Sequence, residues 1–172
     1  DDKTVDVVII DIDDFRKVND GMGMIAGDEL VQQLGSVLKE FANANVVVGH
    51  ITSDIYCIAI YDPKGDYTVE NIYQRLKSRL RRPFYLSNGF EISITVSVGV
   101  ASYPEASKDA VELINCAEIV MFRGKSLGKN TIQYFDTPIL DAFLHNVQMD
   151  NKLKEAVSNN HFMLKYQPQF YA

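Results

Sequence analysis

The chain alternates between short β-rich runs and longer stretches with helical spacing. Val7-Val8-Ile9-Ile10 is apolar without alternation, the pattern of a strand covered on both faces, and it belongs to a strand over Thr4–Ile12. Phe15–Asp20 reads as a short helical segment. After Gly21-Met22-Gly23, a longer helix opens at Gly27-Asp28. It carries Leu30, Val31, Leu34, Val37, Leu38 and Phe41 on one face and ends at Asn43-Ala44-Asn45. Val46–Ile51 and Ile55–Tyr61 form a tight hairpin around Thr52-Ser53-Asp54. A loop over Asp62–Asp66 leads to a helix over Val69–Arg82, with Ile72, Tyr73, Leu76 and Leu80 inward and Pro83 as its stop. Its basic last turn suits a helix C-terminus better than a binding patch. Ser87-Asn88-Gly89 is a second hairpin turn. Ile92, Ile94, Val96, Val98 and Val100 then alternate with Ser93, Thr95, Ser97, Gly99 and Ala101 in one long strand ended by Pro104. Ser107 caps the next helix, which buries Val111, Ile114, Ala117 and Met121 and runs out at Gly128. A short strand follows at Thr131–Phe135. Pro138 starts a further helix to about Ser158, Asn159-Asn160 breaks it, and His161–Phe170 reads as a new strand with nothing to complete it.

The order β-α-α-β-β-α-β-α-β mixes hairpins with helical crossovers. It predicts an α/β (α+β) sandwich: one mostly antiparallel central sheet of about five strands with helices packed on it. The 172 residues hold one domain and a fragment of another. The net charge of -6 argues against a general binder of nucleic acid or anionic membrane, but leaves room for an anionic nucleotide held by a metal or a local cation. Cys57 and Cys116 share no metal-type spacing, so a reduced, cytoplasmic setting is the default. No apolar run approaches the ~20 residues of a membrane span. The chain opens on a strand and stops inside an apolar run, as an excised piece of a longer protein would. Membrane tethering by segments outside this stretch stays open.

The candidate chemistry starts where the first strand surfaces. Asp11, Asp13 and Asp14 bring three carboxylates into four residues, and they repel each other unless a cation or backbone donors sit between them. The plain alternative is that they are solvated, or that Asp13 or Asp14 caps Phe15–Asp20. In the sandwich topology the first strand and the Val46–Tyr61 hairpin can be neighbours at the sheet centre. Asp11 and Asp54 then face each other and can hold Mg²⁺ against a triphosphate. Asn19 and Asp28 flank the glycine loop; a carboxylate accepts from guanine N1–H and N2–H₂ while an amide donates to its acceptors. Lys125 and Lys129 lie near a helix end, where they can meet phosphate oxygens. Taken singly, each is as easily a solvated lysine or a turn asparagine.

Taken together, these blocks resemble the diguanylate cyclase, or GGDEF, domain. The matching segments are Asp11-Ile-Asp-Asp-Phe-Arg-Lys-Val-Asn-Asp20 with Gly23 and Gly27-Asp28-Glu29. The strand Ser97-Val-Gly-Val100 and the run from Ala117-Glu118 through Lys125 to Gly128-Lys129-Asn130 also match. The resemblance spans Thr4 to Phe135 and implies a palm-like, nucleotidyl cyclase-like sheet. Members of the family condense two GTP into cyclic di-GMP across a homodimer, each half-site holding one GTP and Mg²⁺. By position, Asp11, the Ile12 carbonyl and Asp54 look like the metal ligands. Asn19 and Asp28 look like the guanine readers, and Phe15, Arg16 and Lys125 like phosphate-side contacts. Lys129 stands where the family usually has Arg.

The signature hairpin is altered: Gly-Gly-Asp/Glu-Glu-Phe is here Thr52-Ser53-Asp54-Ile55-Tyr56. Asp54 keeps one acid. Thr52 and Ser53 replace glycines whose missing side chains let ribose and phosphate approach the backbone. Ile55 replaces an acid with a group that neither accepts a proton nor holds a metal. His50 stands where Arg is common, and the product-inhibition pair Arg-x-x-Asp is replaced by Asn43 and Val46. Loss of one such acid is worth ~10²–10⁴-fold in rate. The tail, Asn151-Lys-Leu-Lys-Glu-Ala-Val157 with His161-Phe-Met-Leu-Lys-Tyr-Gln-Pro-Gln169, looks like the opening of an EAL domain, the cyclic di-GMP phosphodiesterase. The expected organisation is a GGDEF-like domain over 1–136, a connector helix over 137–158 and the first EAL strand over 159–172. Three functions follow: a degenerate domain binding GTP and Mg²⁺ to regulate an EAL domain of the same chain; a residual diguanylate cyclase; and a nucleotide-free dimerisation module.

Overall fold

The computed structural model describes residues 3–159, 161 and 163. In chain order the elements are β1 (Val5–Ile12), α1 (Phe15–Met22), α2 (Met24–Lys39), β2 (Val46–Thr52) and β3 (Ile55–Tyr61). A 3-10 turn at Gly65–Tyr67 leads to α3 (Val69–Leu80), β4 (Phe84–Tyr85), β5 (Glu91–Ile92), β6 (Val96–Tyr103), α4 (Ala110–Ser126), β7 (Ile132–Tyr134) and α5 (Thr137–Ser158). Of the strand expected over His161–Phe170 only His161 and Met163 are described, neither of them in a strand; the rest lies outside the described residues.

The main sheet has five strands in the order β2-β3-β1-β6-β7. β1 is central and antiparallel to both β3 and β6; β7 adds parallel to β6. Side chains of a strand alternate between faces, so the non-alternating run in β1 serves two cores at once. Val8, Ile10 and Ile12 join Leu30, Leu34 and Leu38 of α2 and Ile72, Leu76 and Leu80 of α3. Val7 and Ile9 join Leu113, Cys116, Ala117 and Met121 of α4. This predicted architecture, helices on a mostly antiparallel sheet of five strands, is the one observed.

Several boundaries differ from the predicted ones. α2 begins at Met24, not at Gly27-Asp28, so both residues lie inside the helix. Gly27 is there for close approach: a Cβ on it would sit 1.8 Å from Asn19 Oδ1. The alternating run Ile92–Ala101 is not one strand. Glu91–Ile92 pairs with Phe84–Tyr85 in a separate two-stranded sheet, and the chain then crosses to the main sheet at Val96. The crossing is held by Thr95, whose carbonyl accepts from the Asp13 N–H at 2.9 Å. Ser107 does not cap α4; Asp109 does, accepting from the Val111 and Glu112 N–H groups at 2.9 Å each. Ser107 instead accepts from the Asp109 N–H and donates to Glu112.

Two units divide the chain, Asp1–Thr137 and Pro138–Ala172. The first carries both sheets; the second carries α5 from Pro138 onward. Among the described residues no helix is long and apolar enough to cross a membrane.

α4 lies directly on the backbone of β6. A Cβ on Gly99 would come within 2.0 Å of the Ala117 carbonyl and 2.6 Å of the Met121 nitrogen. Helix backbone cannot yield as a side chain can, so Gly99→Ala forces α4 off the sheet. The expected loss is about 3 kcal/mol in urea unfolding, the upper end of overpacking costs.

Candidate functional site: an acid pair beside a lysine

The pleat of β1 decides where Asp11 points. It continues the face of Val7 and Ile9, toward α4, and there Lys125 of the last turn of α4 donates to Asp11 Oδ1. Asp11 is only 4% exposed. Ile55 stands directly opposite it in the β1–β3 ladder. Partners across a ladder share a face, so an apolar side chain lies beside this carboxylate. Asp54 is in the hairpin turn, where its carbonyl accepts from the Ile12 N–H at 3.3 Å. Burial pushes the Asp11 carboxyl up to about 6; Lys125 pulls the other way, and the negative charge of Asp54 adds to the rise.

The three acids at the strand end diverge. Asp13 is buried and accepts from the Thr95 and Ser97 hydroxyls at 2.6 Å each and from the Asn130 N–H at 2.9 Å. Those bonds tie the end of β1 to β6 and to the loop after α4. Asp14 occupies the position before α1, but its side chain caps nothing. It pairs with Lys17 and Lys129, both at 2.9 Å, and these cations hold its carboxyl down at about 2. The capping role weighed for Asp13 and Asp14 therefore goes to neither side chain. The Thr95 and Ser97 hydroxyls were visible in the alternating run; their use in holding Asp13 was not.

Asn19 lies on α1 with its amide packed over Gly27, the residue before Asp28. Its Oδ1 is buried without a hydrogen-bond partner. Asp28 is exposed and makes no ion pair among the described residues. The next acid, Glu29, is committed elsewhere. It accepts from the Ser87 N–H and hydroxyl, contacts that hold its carboxyl below the usual range and fasten the β4–β5 turn to α2. Phe15 is buried beneath Gly27, so only its backbone faces outward chemistry. Arg16 is fully out in solvent, 3.6 Å from Asp20. Neither side chain joins Asp11.

The hairpin is closed by groups the pattern did not reveal. A register shift lies between His50 and Thr52, and Ser53 adopts φ +44°, the left-handed region that favours glycine. The His50 Nε2 meets the Ser53 carbonyl at 2.8 Å, and its ring lies 4.7 Å from that of Tyr56. The Tyr56 hydroxyl donates to the Val31 carbonyl at 2.6 Å, passing Gly35. Between α2 and the hairpin is a cavity of 730 Å³ whose wall includes Asp28, Gln32, Lys39, His50 and Ser53. Asp11, Asn19, Lys125 and Lys129 are not in that wall, so acid pair and cavity are separate features meeting at the hairpin.

Two carboxylates and a backbone carbonyl suit Mg²⁺, which takes one or two protein carboxylates and fills its remaining positions with phosphate oxygens and water. Among the described residues no three His, Cys, Asp or Glu side chains converge. A divalent ion held by these groups would draw its remaining ligands from outside the protein.

A central antiparallel sheet with helices on both faces and an acid pair at the strand end defines a palm-type α/β domain. Residues 1–131 match the family model "Diguanylate cyclase, GGDEF domain", and the chain belongs to that family. It is 28% identical over 166 residues to the cyclic di-GMP phosphodiesterase NbdA of Pseudomonas aeruginosa, covering 96% of this chain and 21% of that protein. Against the cyclic di-GMP phosphodiesterase PdeR of Escherichia coli K12 it is 27% identical over 169 residues, covering 98% of this chain and 25% of that one. The chain thus spans a quarter or less of these relatives. A solved EAL/GGDEF domain protein from M. capsulatus superposes with a TM-score of 0.72 at 27% identity, covering 79% of this chain and 87% of that one.

The folded chain holds the Asp11 proton to higher pH than the unfolded chain does. This group therefore costs stability as pH rises from about 4 to about 6. Carbon-detected NMR of the Asp11 carboxyl should give a midpoint near 6. A midpoint at the ordinary 3.8 contradicts the burial described here.

Proposed function

We propose that this is a catalytically degenerate GGDEF domain of a cyclic di-GMP signalling protein. In this reading it binds GTP with Mg²⁺ and regulates an EAL phosphodiesterase domain that follows it in the same chain. The observation that carries the reading is the pair Asn19 and Asp28. Gly27, the residue before Asp28, leaves room for the Asn19 amide, and among the described residues neither the amide oxygen nor the Asp28 carboxylate has a side-chain partner. In this reading the Asn19 amide nitrogen donates to the guanine acceptors, while its oxygen is packed against Gly27. Asp28 accepts from the guanine N1–H and N2–H₂; an adenine ring presents no donor pair there. Lys125 and Lys129 meet the phosphates, with the backbone at the start of α1 beside them. Asp11, the Ile12 carbonyl and Asp54 would hold Mg²⁺, which would supply charge neutralisation to the phosphates.

The reaction itself is the part given up. Ile55 faces Asp11 across the ladder, so the position of the second hairpin acid offers neither base nor ligand. Ser53 in the left-handed region and Thr52 beside it fill space that two glycines leave open. A residual cyclase would have to work without those features.

The regulatory half of the reading rests on organisation. NbdA and PdeR are phosphodiesterases, and the alignment with each runs through nearly the whole of this chain, connector included. We assign 1–136 to the GGDEF domain, 137–158 to the connector and 159–172 to the opening of the EAL domain. α5, at 22 residues, spans about 33 Å, long enough to pass a rigid-body shift from one domain to the next. A cytoplasmic location accords with a nucleotide ligand.

Calorimetry with GTP, GDP and ATP in Mg²⁺ tests the ligand. GTP should bind at least about ten-fold more tightly than ATP, and Gly27→Ala, which displaces the Asn19 amide, should remove that preference. Equal affinity for GTP and ATP, or no binding of either, sinks the proposal.

A further inference from the structure

Lys125 occupies the place that a divalent ion would take. It reaches Asp11 from the last turn of α4, with its side chain only 25% exposed against 5% for that of Asp11. It is the one cation on Asp11 among the described residues. Asp54 stands beside Asp11 in charge as well as in space, and Ile55 opposite supplies no donor. A buried carboxylate beside a half-buried one needs a positive partner, and here the protein provides one on a tether.

We propose that Lys125 is a resident counter-cation of the Asp11–Asp54 pair, displaced only when nucleotide phosphate offers its ammonium another partner. This rests on the reading of that pair as the Mg²⁺ site. The surroundings restrict the exchange to the lysine side chain. The loop after α4 is anchored by the Asn130 N–H on Asp13 at 2.9 Å, and Lys129 is held by Asp14 at 2.9 Å. Neither the helix end nor the neighbouring lysine has to move. A four-carbon stem lets the ammonium swing while the backbone stays. A free divalent ion must compete with a cation that cannot diffuse away. A nucleotide triphosphate removes that competitor by accepting it. Metal and nucleotide therefore bind with positive coupling, each raising the affinity for the other by the same factor.

The test is a Mn²⁺ titration of the 172-residue chain followed by the electron paramagnetic resonance signal of the free ion, first without nucleotide. Lys125→Met should bind Mn²⁺ about ten-fold or more tightly than the unaltered chain, within the usual range of coupling between sites. Lys125→Arg, which keeps a cation, should bind it as weakly as the unaltered chain. The gain should vanish in Lys125→Met combined with Asp54→Asn. Mn²⁺ affinity unchanged or lowered in Lys125→Met overturns the inference, as does a gain that survives loss of Asp54. Thermal melts of each variant confirm that folded protein is compared. Adding GTP to the unaltered chain then separates the two ideas. A rise in Mn²⁺ affinity with GTP supports the nucleotide reading, and no effect of GTP defeats that reading while the nucleotide-free comparison still decides the exchange.

Discussion

A carboxylate at the end of the central strand is the constraint on which the rest is arranged. Asp11 belongs to β1, whose residues serve cores on both sides of the sheet, so its side chain leaves the strand inside the protein and on the α4 side. A charge so placed needs a partner. Lys125 supplies it, and to do so α4 must pack tightly enough that β6 carries glycine at 99. The buried Asp13 holds the loop that follows α4 through the Asn130 N–H and the start of β6 through the Thr95 and Ser97 hydroxyls. Packing of α4, placement of two lysines and the state of the acid pair are thus one mechanical unit.

Against that unit, the hairpin is apolar on one side and tied down on the other. The apolar side chain at 55 faces Asp11 and makes its surroundings drier. His50, Ser53 and Tyr56 close the turn on itself and onto α2 with bonds at 2.6 and 2.8 Å. These contacts fasten the hairpin edge to α2. In the proposed reading, Asn19 and Asp28 read guanine while that edge stays fastened, the combination a nucleotide sensor needs.

Much of this was legible in the chain before any coordinates. The apolar run in β1 and the alternation in β6 specify a central sheet, and the helical spacing of Leu30, Leu34 and Leu38 specifies what covers it. The facing of Asp11 and Asp54 follows once β1 and the hairpin are neighbours. What could not be read depends on contacts between distant residues. The uninterrupted alternation from Ile92 to Ala101 hid the switch between sheets, because period-two spacing persists through the crossing. Gly27 looked like a helix start because glycine is common there; its actual reason, room for Asn19, lies eight residues away on another helix. Asp11 was read as a metal ligand and Asp13 or Asp14 as a cap, but only the fold shows that Asp11 meets Lys125, Asp13 meets hydroxyls and Asp14 meets lysines in solvent.

The central claim is that a guanine-nucleotide site persists without the chemistry that once used it. Native mass spectrometry of the chain after prolonged incubation with GTP and Mg²⁺ reads both halves of that claim in one spectrum. The account predicts a folded species carrying intact GTP and Mg²⁺, with no cyclic di-GMP bound or released. Cyclic di-GMP in the spectrum, or a protein that retains no GTP at all, would contradict it.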